Sequence, residues 1–433
     1  MTHQPEDTAA ATPKTKADSS RPNAFIVALS RFLTNIDSLA GTLPLAMTAI
    51  AAAQKASADT LRKFTEEHAT AERREGVEHL AVTLDLWPRF KKLLGRRSKF
   101  SMASRTVPSS FLVSLVSQFD AFVGDLIRVL FDAQPGALHA SERLLTFAQL
   151  REFVSIEDAR SFVVEKEVEA VLRKSHTEHF EWLETKFGLP LRKGLESWPA
   201  FVEITERRNL LVHTGGVVST HYIAACKTHG VEPEKDAGVG RTLKVSQAYF
   251  DDAYEVMFEI GVKLVHVLWR KLQPEERETA DRNLTEVCYE LLEEGRYSLA
   301  KKLLDFAACV LKQYSSDEVR RRIIVNRAQA YKWSGDEGAA RAIMKAEDWT
   351  ATSDVFRLAD AVLRDDFDQA AVFMKRVDRD VEKVQYRDWP LFRNFRKSQQ
   401  FLATYESVFG ESFQPLATSE AVEGAVADEA SAG

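Results

Sequence analysis

The chain has 433 residues, 45% hydrophobic and 28% charged, with 58 Lys plus Arg against 64 Asp plus Glu. At roughly 150 residues per domain, that is enough for about three folding units, which excludes a small disulfide-stapled scaffold. The net charge of −6 excludes a surface that is basic throughout, as an all-over nucleic-acid footprint would need, and leaves room for a local basic site.

Only 19 Gly and 13 Pro are present, too few for a turn-rich β architecture, so an all-α fold is expected. Cys226, Cys288 and Cys309 cannot pair completely and show no C-x-x-C spacing. A reduced, cytoplasmic setting fits them.

In chain order, residues 1–23 are polar, with no apolar run after a basic start, and read as a disordered leader. Residues 24–106 are Ala-rich with helical periodicity, and breaks at Gly41 to Pro44 and at Pro88 predict two or three helices there. The most apolar stretches, 39–53 and 111–133, read as buried soluble helices. The first is interrupted by Gly41 and Pro44, and the second carries Gln118, Asp120, Asp125 and Arg128. No membrane contact is expected. From Leu86 to Phe119 there is no acidic residue, whereas Arg89, Lys91, Lys92, Arg96, Arg97, Lys99 and Arg105 are basic. Within this block Arg96, Arg97 and Lys99 are candidate phosphate contacts.

A second unit is expected over 107–272. Val107-Pro108-Ser109-Ser110 looks like a helix start, and Phe111, Leu115, Phe119, Phe122, Leu126 and Leu130 recur at helical steps over 109–132. Further helices are predicted over 141–154, 156–187 and 198–213, the last closed by Thr214-Gly215-Gly216. An irregular stretch through Pro233 and Gly240 then leads to a closing helix over 245–272.

From 273 to 416 the texture changes to short helices and tight turns. Three segments, 294–300, 334–340 and 365–371, superpose, each with an alanine (Ala300, Ala340, Ala371) five residues after the turn position, where two crossing helices need a small side chain. They resemble degenerate tetratricopeptide repeats, with turn spacings of about 40 and 31 residues around the usual 34. The resemblance implies a protein or peptide partner. Residues 386–409 read as a capping segment, and 417–433 as a disordered tail.

The most informative string is Glu203-Ile-Thr-Glu206-Arg207-Arg208-Asn209-Leu-Leu-Val-His213-Thr-Gly-Gly. It resembles the signature of HEPN domains, helical bundles that share an Arg, four to six residues, then a His, often with Asn directly after the Arg. Arg74 and His79 repeat the offset without the Asn. The resemblance covers about 107–272 and implies catalytic roles for Arg208, Asn209 and His213. It further implies RNA as substrate, no cofactor, and a homodimer with the motif helices juxtaposed.

The chemistry suits the residues. Ribose carries its own nucleophile, the 2′-hydroxyl, so scission needs a proton-transfer group near neutrality, which an imidazole supplies, and a fixed cation on phosphate, which a guanidinium supplies. On an ideal helix Arg208 and His213 stand about 140° apart, an argument for completing the site across a dimer. Arg207 is a further candidate RNA contact, and Glu203, Glu206 and Asp120 are candidate supporting residues. His221, Cys226 and His229 match no common zinc spacing, and no metal is expected. His176 and His179 read as surface residues.

The two resemblances together imply a HEPN-like bundle followed by tetratricopeptide-like hairpins, and the first implies a metal-independent endoribonuclease of toxin or phage-defence systems. The alternative is a non-catalytic helical scaffold that binds RNA or protein.

Overall fold

The computed structural model describes residues 22–74, 77–139, 145–231 and 238–414. The expected leader up to residue 21 and the expected tail 417–433 lie outside them. The fold is all-α apart from one small hairpin, but its long helices run further than the sequence suggests. Helix α1 (Ala24–His68) and helix α2 (Trp87–Ala133) lie side by side, joined by antiparallel strands β1 (Ala69–Arg74) and β2 (Val77–Val82). Arg74 and His79 of the look-alike motif therefore fall on the two strands of a hairpin and not on one helix.

Each long helix spans about 70 Å at 1.5 Å per residue. Pro44 and Pro108 sit inside them instead of ending them. An interior proline costs about 3 kcal/mol, and here the packing of the two helices along each other outweighs it. The expected boundary at 106/107 thus falls within one helix. Toward the hairpin the pair forms an arm held by a small cluster of Leu61, Phe64 and Phe90.

By length and composition both helices could cross a membrane: half of α2's most apolar window is buried, but only 11% of α1's. The stretch 111–133 is core, as expected. Residues 39–53 are not, for only Leu43 among them is fully buried.

Short helix α3 (Gly136–His139) follows α2, and only short helix α4 (Phe147–Leu150) stands where a helix over 141–154 is expected; residues 140–144 lie outside the described ones. The single helix expected over 156–187 is two, α5 (Ile156–Leu172) and α6 (His176–Phe187). Ser175 and Glu178 form a capping box that starts the second. Helix α7 (Trp198–Thr214) ends on Gly215 at φ 62°, a left-handed position that suits glycine. Helix α8 (Thr220–Thr228) fills part of the stretch expected to be irregular, and α9 (Gln247–Leu272) closes the bundle.

Helix α1 belongs to this bundle: Phe25 stacks on Trp269 at 5.5 Å and Phe32 on Phe122 at 4.5 Å between ring centroids. Gly261 of α9 makes that approach possible, since a Cβ there would stand 2.5 Å from the Phe32 ring.

Three helical hairpins follow, α10 (Arg277–Glu293) with α11 (Tyr297–Asp305), α12 (Asp317–Trp333) with α13 (Glu337–Lys345), and α14 (Asp354–Leu363) with α15 (Phe367–Val377). Helices α16 (Lys383–Asp388) and α17 (Gln399–Phe409) end the described chain. Gly295, Gly335 and Asp365 hold equivalent turns at φ 73°, 92° and 60°. At the third turn Lys332 Nζ compensates for the missing glycine, donating to Asp365 at 2.7 Å and to the Leu363 carbonyl at 2.8 Å. Ala300 and Ala340 are buried, as the crossing geometry requires, but at the third hairpin the buried alanine is Ala370 and not the expected Ala371, because the turn falls at Asp365, one residue earlier. One hydrophobic core runs from Phe25 to Ala330, so packing continues across 272/273, while a second core fills the last hairpins from Val325 to Tyr405.

Candidate active site

Helix α7 lies against α2 and α9, which fixes the motif residues relative to the bundle. Its inner side buries Phe201, Val202, Ile204 and Leu210. Its outer side, together with α2, the α5–α6 junction and the start of α8, walls a cleft of about 530 Å³. Arg208, Asn209 and His213 all line this cleft, joined by Asp120, Glu206, Arg173, Lys174, His176 and His221. Arg208 and His213 line this one cleft of a single chain despite their separation of about 140° on an ideal helix.

At the centre stands Asp120 of α2. Its Oδ2 accepts from Arg208 Nη2 at 2.6 Å, and its Oδ1 lies 2.8 Å from His176 Nε2. Arg208 Nη1 also donates to Asn209 Oδ1 at 3.1 Å, so the two motif neighbours orient each other. Burial works against the Asp120 charge, but the hydrogen-bonding contact with His176 and the positive charge of Arg208 outweigh it and hold the carboxyl below its usual range. His213 is exposed and lines the same cleft.

Several expected site residues do not reach the cleft. Arg207 is only 2% exposed: its Nε donates to Glu203 at 2.7 Å, its Nη1 to the Lys244 carbonyl at 2.9 Å, and its guanidinium covers the Tyr249 ring. Glu203 also accepts from the hydroxyls of Tyr222 at 2.6 Å and Tyr249 at 2.5 Å. These two residues form an interior polar knot that ties α7 to α8 and α9, and neither can meet RNA. Arg96, Arg97 and Lys99 are exposed on the arm of α2 and do not line the cleft. Glu206 does line it, 3.7 Å from His221 Nε2.

Other readings change as well. His176 and His179 are buried, at 7% and 1% exposure, not on the surface. Cys226 packs with Leu210, Val218, Tyr222 and Leu243, His229 accepts from Trp198 Nε1, and His221 is 82% exposed, so these three play separate parts. Arg173, Lys174 and His176 are the functional candidates that sequence reasoning missed. The capping pattern Ser175-x-x-Glu178 is the signal that would have located them.

Burial pushes His179 down to about 4, reinforced by His176 and opposed by Asp120 and by the carbonyls of Lys174 and Val171. It pushes His266 of α9 down to about 3, helped by Arg270 and opposed by Asn283. Both are neutral in the fold, while the unfolded chain takes up their protons below about 6.5. Stability is therefore expected to fall by several kcal/mol as pH drops from about 6.5 toward 4 and then 3, at on the order of 1.4 kcal/mol per unit for each histidine. Urea midpoints at pH 7.5, 5.5 and 4.5 check this, and a flat profile would contradict it.

No known protein family, curated protein or solved structure matches this chain.

Proposed function

We propose that the chain is a metal-independent endoribonuclease of the HEPN type. The observation that carries this reading is the convergence of Arg208, Asn209 and His213 on one cleft with Arg173 and Lys174 on its wall. A bound RNA would set its scissile phosphate against the Arg208 guanidinium, with Arg173 and Lys174 available to neighbouring phosphates. The 2′-oxygen attacks phosphorus, the bond to the 5′-oxygen breaks, and His213 carries one of the two protons involved. Asp120 holds Arg208 in place before substrate arrives.

Val212 and Val217, close in sequence to His213, are exposed and offer apolar surface for a homodimer in which two motif helices face one another. In this reading the C-terminal hairpins, tetratricopeptide-like in arrangement, engage a protein or peptide and govern the nuclease in a toxin or phage-defence setting. Purified protein is expected to cut RNA in the presence of a chelator and to leave 2′,3′-cyclic phosphate ends. Cleavage that needs an added divalent ion, or that leaves 3′-hydroxyl ends, would refute this mechanism.

One observation favours the alternative, a helical scaffold. A groove of about 560 Å³ on the hairpins is lined by Tyr289, Asn326, Gln329, Phe356, Trp389 and Phe392, a mix of aromatic and amide groups suited to a peptide. Capture of such a peptide by a chain that leaves RNA intact would favour it.

A further inference from the structure

Helix α6 opens with His176-Thr177-Glu178-His179, and a three-residue spacing places both imidazoles on one side of its first turn. Both rings are buried, and His179 keeps its two ring nitrogens inside the protein with no well-aligned hydrogen bond. Buried polar groups are ordinarily satisfied, so an imidazole in this condition asks for a ligand. Asp120 of α2 reaches the same point. One ligand atom from each of Asp120, His176 and His179 lies within 4.8 Å of the others, and the Asp120 and His176 atoms already stand 2.8 Å apart.

Two imidazoles and a carboxylate are a donor set for zinc and similar ions, with bonds of about 2.0–2.1 Å. A tetrahedral centre with such bonds holds its ligand atoms about 3.3 Å apart. Closing the widest separation requires about 1.5 Å of side-chain movement, within reach of rotations about χ1 and χ2. Groups that would orient the ligands are in place: Arg208 holds the second Asp120 oxygen at 2.6 Å, and the carbonyls of Val171 and Lys174 stand beside His179. Asp120 and His176 face the cleft, so a fourth position would open into it.

We propose that Asp120, His176 and His179 form a binding site for a zinc-class divalent cation in the wall of the cleft, with one coordination position open to the cleft. The ion would pin α6 to α2 and add positive charge beside Arg208. The site shares Asp120 with the contact that holds Arg208, but it is argued from its donor set alone and does not rest on the nuclease reading.

The test uses the untagged full-length chain, stripped with chelator, dialysed, and titrated with Co²⁺ and then Zn²⁺. One equivalent of Co²⁺ is expected to give the visible bands of a four-coordinate centre, which Zn²⁺ then bleaches. Elemental analysis is expected to find one zinc per chain, and the melting temperature to rise with it. His176→Gln and His179→Gln are expected to weaken binding at least about 100-fold, beyond the 10–100-fold typical of losing an outer-shell partner. His68→Gln, at the far end of α1 and outside the cleft lining, is expected to leave it unchanged. Circular dichroism of the metal-free variants establishes that they fold, and Asp120→Asn provides an isosteric third variant. Failure of the wild-type chain to take up either ion at micromolar concentration would overturn the proposal, as would uptake that survives in the folded double variant. Since spectra and stoichiometry are read without RNA, loss of the nuclease reading would leave this result standing.

Discussion

His213→Ala is expected to lower RNA cleavage by about 10²–10⁴-fold, the usual contribution of a positioned proton-transfer group. Arg208→Ala is expected to cost about 10²–10³-fold, as removal of a donor to a developing charge does. Arg208→Lys is not expected to restore activity, because an ammonium cannot donate to Asp120 and Asn209 through one planar fork as Arg208 does. His213 is exposed, so its loss leaves the fold intact. Arg208→Ala removes one of two partners of Asp120, and His176 remains beside that carboxylate. End-labelled RNA cleavage, with circular dichroism of each variant, measures both effects. Cleavage undiminished in the two alanine variants would reject the assignment of the cleft.

The second large effect is on stability. Asp281 of α10 is fully buried and pairs with Arg270 of α9 at 2.5 Å, Arg270 itself being 7% exposed. Asp281 also accepts from the Ser315 amide at 2.6 Å. Asp281→Ala would leave a guanidinium buried without its partner, an outcome that typically costs 3–5 kcal/mol, roughly a third or more of a domain's net stability. Joint replacement by apolar residues, Arg270→Met with Asp281→Leu, is expected to recover most of the loss, since both desolvation terms disappear together. By contrast, Arg341→Ala breaks an exposed pair with Glu337 and is expected to cost less than about 1 kcal/mol. Urea unfolding of the three variants ranks them. Equal midpoints for Asp281→Ala and Arg341→Ala would contradict the argument.

Much of the helical framework was legible, for reasons visible in particular residues. The apolar stripe from Phe111 to Leu130 did mark a core helix, the Gly pair did end α7, and Ala300 and Ala340 did mark helix crossings of the hairpins, with the third alanine misplaced by one residue. What escaped depended on long-range packing. Pro44 and Pro108 carry a local stop signal, which α1 and α2 overrule by packing along each other. Arg207 and Arg208 are adjacent and chemically identical, yet one faces Glu203 inside the bundle and the other faces the cleft. Their sequence spacing alone does not decide which is which. His176 and His179 were within reach, because the capping box before them is a sequence pattern, and missing it merged α5 with α6. Asp120 stood out only as a charge on an apolar helix, and its partners come from residues more than fifty positions away.

Helix α9 packs against α1, α2, α7, α10 and α11 within a single core. The cleft and the base of the hairpins therefore share one mechanical frame, like two fittings on the same spar. A ligand seated on the hairpins has no hinge at 272/273 through which to reshape the cleft, and reshaping requires an element with two alternative arrangements. Control by such a ligand is then expected to be external to that frame. It would cover the mouth of the cleft or change how two chains meet there, with the internal geometry around Asp120 left as it is.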